Sequence, residues 1–187
     1  MHKTEMKSDY QWLDNWSSRL VGKRILELGC GSGIDTATIA QLAESVVACD
    51  LAPVVEHSSA AKILALDHSK PLPFGSEFDV VVASLSLHYF DWITTKNIVA
   101  EISRVLVDDG FLLCRVNSNQ DINYGARGYP KLESGLFDVG GMSKRFFDKT
   151  SILDLFSGDW TFIDLEHKSI DRYQQTKTVW ELGAVKE

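Results

Sequence analysis

The sequence predicts an α/β protein: a Rossmann-like, doubly wound sheet of five parallel strands plus a C-terminal antiparallel hairpin, seven strands in all, in three α/β/α layers. Three observations carry this. Short apolar runs alternate with helix-patterned segments through the first 116 residues. The runs are continuously apolar, as expected of strands covered on both faces. The stretch RILELGCGSG, residues 24–33, sets three glycines at alternate positions directly after the first run. Alternating strand and helix imply right-handed crossovers and a parallel sheet. With 187 residues, 44% of them hydrophobic, the chain can bury one good core, so a single domain over 1–187 is expected.

The elements follow in order. Apolar and aromatic residues at 12, 13, 16 and 20 suit a short amphipathic helix, which the 1–22 segment would lay as a lid or pack on the sheet. Residues 24–28 form a compact first strand. Thr36, Ile39, Ala40 and Ala43 share one face of the helix after it. SVVACD, 45–50, is a second strand; Pro53 can start a short helix; residues 62–66 are a third strand. PLPFG, 71–75, is a loop by its prolines and glycine. FDVVVASL, from Phe78, is the clearest strand. Ile98, Ile102, Val105 and Leu106 mark the next helix, ending at Asp108-Asp109-Gly110, where the glycine can take a left-handed turn. Residues 111–116 are a fifth strand.

Residues 117–142, rich in Asn and Gly, break the rhythm and are expected to form a substrate-side insertion. Asp148 is a candidate N-cap, with Phe147 and Ile152 as a hydrophobic staple and Gly158 as the stop. Two closing apolar runs, 160–165 and 178–185, have no helix between them and predict the hairpin.

Composition narrows the function. A net charge of −7 with no Lys/Arg cluster lacks the footprint of a general nucleic-acid binder. MHKTEMKSDYQW has no apolar stretch long enough for a signal peptide, and no run approaches a membrane span. Cys30, Cys49 and Cys114 are far apart, with no CxxC pair, so neither zinc nor a disulfide framework is suggested. A cytoplasmic, reduced protein, with no nucleic-acid or membrane partner and no metal, is expected.

Ligands of open α/β sheets bind beyond the carboxyl ends of the strands, where strand order reverses. Glycines at 29, 31 and 33 would let main chain approach such a ligand closely. A dinucleotide calls for G-x-G-x-x-G, but here its third glycine position holds Ile34. Glu27, two residues before Gly29, would repel a phosphate and suit an amine or a sulfonium. Asp50 and Asp67 follow two further strands. Each carboxylate also has a plain structural use: Glu27 in a cap or ion pair, Asp50 at a strand end, Asp67 in an Asx turn.

ILELGCGSG resembles the first motif of the class I S-adenosylmethionine-dependent methyltransferases. LALDHSKPLPF, FDVVVASLSLHYF and ISRVLVDDGFLLC resemble later regions of that family in the same order, and TVWELGAVKE resembles the last strand of many small bacterial members. The resemblance spans roughly residues 24–116 and the tail. It implies S-adenosyl-L-methionine as cofactor and S-adenosyl-L-homocysteine as product. It places Gly29, Gly31, Gly33 and Glu27 at the cofactor, Asp50 and Leu51 at its ribose, Asp67 and His68 at its adenine, and Ser84 beside them. Two departures stand out. Asp108-Asp109-Gly110 replaces the usual proline-glycine turn, and the short 50–67 stretch implies a clipped second helix.

A sulfonium already carries its activation as charge, so the protein mainly holds the acceptor in line and excludes water. His88 and Tyr89, just past the fourth strand, are the candidate catalytic residues: His88 as general base or packing residue, Tyr89 as wall or hydroxyl contact. Arg115, Asn117 and Tyr124 are candidate substrate contacts. Arg115 or Arg145 would bind an anionic acceptor or pair with acids. The N/D-P-P-Y motif of DNA amino-methyltransferases is replaced by Ser84-Leu85-Ser86-Leu87, which argues against a nucleic-acid base. The leading expectation is methyl transfer to a small-molecule acceptor. The alternatives are a catalytically silent cofactor-binding module or partner subunit, a protein methyltransferase and an NAD-dependent oxidoreductase.

Overall fold

The computed structural model describes residues 9–55 and 60–187. A 3-10 helix over Asp9–Trp16 runs into the short helix α1 (Ser17–Leu20). There follow β1 (Arg24–Leu28), α2 (Ile34–Leu42), β2 (Ser45–Asp50), β3 (Lys62–Ala65), β4 (Phe78–Ser84), α3 (Trp92–Val105) and β5 (Leu106–Asn117). Three short strands come next, β6 (Lys131–Glu133), β7 (Leu136–Asp138) and β8 (Ser143–Arg145), then α4 (Lys149–Leu155), β9 (Trp160–Ile170) and β10 (Lys177–Lys186).

The main sheet has seven strands in the order β3-β2-β1-β4-β5-β10-β9. The first five pair in parallel; β10 pairs antiparallel with both β5 and β9. Strand order reverses between β1 and β4, so the carboxyl ends of these strands open a crevice at the glycine loop.

The period of two along each strand divides the core. Leu26 and Leu28 of β1, Val81 and Ala83 of β4, and Leu112 and Cys114 of β5 face α3 and α4. Ile25, Val80, Val82, Phe111 and Leu113 face the N-terminal helices and α2. On that second side Trp16 packs 5.6 Å from the Phe111 ring and donates to Glu181 at 3.0 Å. Trp12, Leu13, Trp16 and Leu20 are thus sheet-packing residues. The side chain of Tyr10 lies outside the described residues.

Local sequence accounts for the helix starts. The Asp91 side chain accepts the Thr94 amide at 2.8 Å to cap α3. Asp148 and Ser151 form a reciprocal capping box on α4, with Phe147 and Ile152 both fully buried beside it, as the staple requires.

One local expectation needs correction. The left-handed residue after α3 is Asp109, at φ 59°, and not Gly110. A Cβ on Gly110 would lie 2.7 Å from the Val107 carbonyl, so close packing is what demands glycine there. Residues 51–55 form no helix after Pro53, and 56–59 lie outside the described residues. The 117–142 connection is partly ordered: β6, β7 and β8 build a separate antiparallel sheet from it. Among the described residues no helix is long and apolar enough to cross a membrane.

Candidate functional site

The loop after β1 is shaped by opposing demands on its glycines. Gly29, at φ 77°, passes so close to the turn after β4 that a Cβ would lie 2.4 Å from the Ser86 Cβ. Gly31, at φ 52°, has nothing within 4 Å of the position a Cβ would take. Its bare face opens on a cleft of about 320 Å³ lined by Gly29, Gly31, Ile34, Ser84, Leu85 and Tyr173, among others. That face is open to a ligand.

Carboxylates surround the loop. Asp50, ending β2, accepts the Gly31 amide at 3.0 Å on one oxygen and the Ala52 amide at 3.2 Å on the other. A carboxylate offers about four lone-pair positions, so two remain for a vicinal diol. Leu51 beside it is exposed. Glu27 is buried and accepts from the Thr36 hydroxyl at 2.6 Å. Burial pushes its carboxyl up to about 7, with Asp35 and Asp50 adding to the rise and Thr36 opposing it. A cation beside Glu27 would reverse that rise.

Asp67 forms an Asx turn, accepting from the Ser69 amide at 2.9 Å and hydroxyl at 2.6 Å, bonds that hold its carboxyl below the usual range. His68 is buried edge-on to Phe90, with Nε2 3.2 Å from the Ser86 carbonyl, and burial lowers its pKa. Its Nδ1 has no partner among the described residues. Ser84 accepts from Arg115 Nε at 3.1 Å.

Beyond Ser84 the backbone turns through Leu85, a non-glycine residue at φ 57° whose amide donates to the Arg115 carbonyl at 2.8 Å. A left-handed leucine costs about 1–2 kcal/mol and persists only where its surroundings impose it. Leu85 and Tyr173 line both the cleft and a second cavity of about 330 Å³ that holds His88, Tyr89, Asn117, Tyr124, Lys144 and Lys177. Two cavities therefore meet at one wall beyond the ends of β4 and β5.

The second cavity gathers most of the expected catalytic and substrate residues. His88 is buried, its Nδ1 unpartnered among the described residues. Burial and then the charges of Lys177 and Lys144 drive its pKa down to about 3. Asn117 donates from Nδ2 to the Arg145 carbonyl at 3.3 Å, while its Oδ1 has no partner among the described residues. Tyr124 accepts the Gln175 amide at 3.0 Å.

Arg115 is not among the residues lining this cavity. It lies on the Phe111–Leu113 face of β5, fully buried, with its guanidinium 3.9 Å from the Trp12 ring centroid. Arg145 belongs to a different cavity of about 900 Å³, where it pairs with Glu133 and donates to the Phe90 and Ser134 carbonyls.

Sequence reasoning did not find Leu85, Lys144, Arg172, Tyr173 and Lys177. Arg172 reaches from the β9–β10 turn to Asp35 at 3.1 Å, and Trp12 Nε1 donates to the same carboxylate at 3.1 Å. No local pattern signals a hairpin tip that folds back over a distant loop.

A family model described as a methyltransferase domain matches residues 26–114. An uncharacterized methyltransferase of Synechocystis is 31% identical over 94 residues, covering 48% of this chain and 44% of that protein, so the match spans less than half of the relative's length. Among solved structures, an S-adenosylmethionine-dependent methyltransferase from Methanosarcina mazei superimposes with a TM-score of 0.73 at 19% identity, covering 96% of this chain and 98% of the other. The 1,6-didemethyltoxoflavin N1-methyltransferase of Burkholderia thailandensis, with 1,6-didemethyltoxoflavin and S-adenosylhomocysteine bound, superimposes at TM-score 0.72 and 19% identity, covering 95% and 79%. The matched segment runs from β1, through the glycine loop and Asp50, to β5, the stretch that builds the cleft. Residues 26–114 thus match a methyltransferase domain, and the chain as a whole has the fold of S-adenosylmethionine-dependent methyltransferases.

Proposed function

We propose that this chain transfers a methyl group to a small-molecule acceptor by in-line displacement. The observation that carries the reading is the meeting of two cavities at Leu85 and Tyr173, one over bare main chain at Gly31 and one around His88. The Burkholderia relative, which holds a small heterocycle together with S-adenosylhomocysteine, supports a small acceptor. Bound S-adenosylmethionine supplies a methyl already activated by sulfonium charge.

The chain's residues then have separable roles. Gly29, Gly31 and Gly33 present main chain to the cofactor. Glu27 faces its cationic end, Asp50 and Leu51 its ribose, and Asp67 and His68 its adenine, with Ser84 held by Arg115 at the cleft edge. Tyr89, Asn117 and Tyr124 line the acceptor cavity. His88, driven down to about 3, is neutral throughout the ordinary pH range, so its role is to orient the acceptor through an uncharged imidazole. Residues 117–142 would contact substrate through Tyr124. Placement of reactants supplies up to roughly 7–11 kcal/mol in such a reaction, so no catalytic triad is needed.

Calorimetry with S-adenosylmethionine, S-adenosylhomocysteine and NAD tests the cofactor assignment, with binding of the first two and not the third expected. An acceptor screen read by S-adenosylhomocysteine release tests the transfer. Absence of turnover across phenols, amines, thiols and metalloid oxyanions would turn the reading to a silent cofactor-binding module.

A further inference from the structure

The acceptor cavity carries a charge pattern at odds with the molecule around it. The protein is acidic, at a net −7, yet this cavity is lined by two lysines and no carboxylate. Lys177 is buried, its pKa lowered first by that burial, and its nearest carboxylate is Asp121 at 3.4 Å. The half-buried Lys144 ammonium has no hydrogen bond or ion pair with any described residue. Both charges act on His88, and Lys144 acts on Lys177, so the three groups crowd one space. Asp121 offsets one ammonium, which leaves one positive charge over.

Buried like charges destabilise one another unless something neutralises them, and a bound anion does so directly. The remaining walls set its shape. Tyr89, Tyr124 and Tyr173 line the space, Tyr124 and Tyr173 have ring centroids 5.5 Å apart, and Lys177 Nζ lies 5.4 Å from the first of these two and 5.9 Å from the second. A volume of about 330 Å³ sits at the small end of ligand pockets, room for one ring or a fused pair and not for a polypeptide segment.

Building on the methyltransferase reading above, we propose that the acceptor is a small aromatic or heteroaromatic monoanion held by Lys144 and Lys177. Where the negative charge lies on the reacting oxygen or nitrogen, the step balances without a base. A lone pair of that atom forms the bond to the methyl carbon as the carbon–sulfur bond breaks. The electron pair passes to sulfur, and a cation and an anion give two neutral products. That accords with a His88 whose imidazole stays neutral. Where the charge is a remote carboxylate, the lysines act as a handle and the nucleophile releases its own proton to solvent.

The test uses the full chain with S-adenosylhomocysteine present and absent. Four probes of similar size are titrated: 4-nitrophenolate (charge on the reacting atom), 4-hydroxybenzoate and 4-aminobenzoate (charge remote), and neutral 4-nitroaniline. Anions binding at least tenfold more tightly than 4-nitroaniline, with the preference falling as salt rises, is the expected result. Lys144→Met should remove most of that preference, Lys144→Arg should keep it, and both should bind S-adenosylhomocysteine like the parent chain. Comparing 4-nitrophenolate with the benzoates tells an anionic nucleophile from a carboxylate handle. Equal binding of anions and 4-nitroaniline, or an anion preference untouched in Lys144→Met, overturns the proposal. Failure to bind S-adenosylhomocysteine would overturn the cofactor assignment instead, since the anion titrations are also read without it.

Discussion

Replacing Glu27 by glutamine should make the cofactor-free protein more stable at high pH and a poorer host for its cofactor. The carboxyl is buried among Thr36, Asp35 and Asp50, and its pKa stands at about 7 in place of 4.5. Between those two values the folded chain binds more protons than the unfolded chain, so stability falls as pH rises from 4.5 to 7 and is lowest above 7. A rise of that size corresponds to about 3 kcal/mol between the acid and alkaline limits. Glutamine still offers an oxygen to the Thr36 hydroxyl, now bonded at 2.6 Å, and carries no charge to desolvate. Urea melts of both proteins from pH 5 to pH 8 give the measurement. Glu27→Gln should gain stability over the parent progressively above pH 5, by roughly 2–3 kcal/mol at pH 8. Calorimetry in buffers of different ionisation enthalpy completes it. At pH 6–7 the parent should release a proton on binding S-adenosylmethionine, whose cation favours the charged carboxylate, and release less on binding the neutral thioether S-adenosylhomocysteine. A parent with flat stability from pH 5 to pH 8, or equal proton release for the two ligands, would refute the argument.

Other expectations concern the same loop and its supports. Asp50→Ala should weaken S-adenosylhomocysteine binding by about 1.5–3 kcal/mol, the loss for hydrogen bonds to a charged group, and an affinity within twofold of the parent would remove Asp50 from the ribose. Gly31→Ala meets open space and should cost only about 1–2 kcal/mol of stability for its left-handed backbone, while cofactor binding is lost. Gly29→Ala would set a Cβ 2.4 Å from that of Ser86 and should cost more stability than Gly31→Ala in the same denaturant titration. Asp148→Ala breaks the α4 capping box and should lower stability by about 1 kcal/mol with cofactor affinity unchanged.

The sequence by itself determined the seven strands of the main sheet, the start of α4 and the glycine loop after β1, because these rest on local physics. Continuous apolar runs mark doubly covered strands, Asp148 caps α4 within one turn, and the glycines between Leu28 and Ile34 record a backbone conformation and a bare face at once. Asp50 was legible for the same reason, as the residue ending a strand beside that loop. Where more than one residue type meets a local demand, sequence was a weaker guide: both Asp109 and Gly110 can turn left-handed, and the packing of Val107 and Leu106 against Gly110 settled which one did. The acceptor cavity was decided by the tertiary structure alone. Its walls come from the turn after β4, the end of β5, the 117–142 connection, β8 and the β9–β10 hairpin, segments up to about ninety residues apart, and the faces chosen by long-range pairing set which charges meet. Arg115 shows the consequence. Position along the chain put it at the rim beside Asn117, but its guanidinium packs against Trp12, 3.9 Å from the ring centroid, while Lys144 and Lys177 arrived from elsewhere to supply the positive charge in its place.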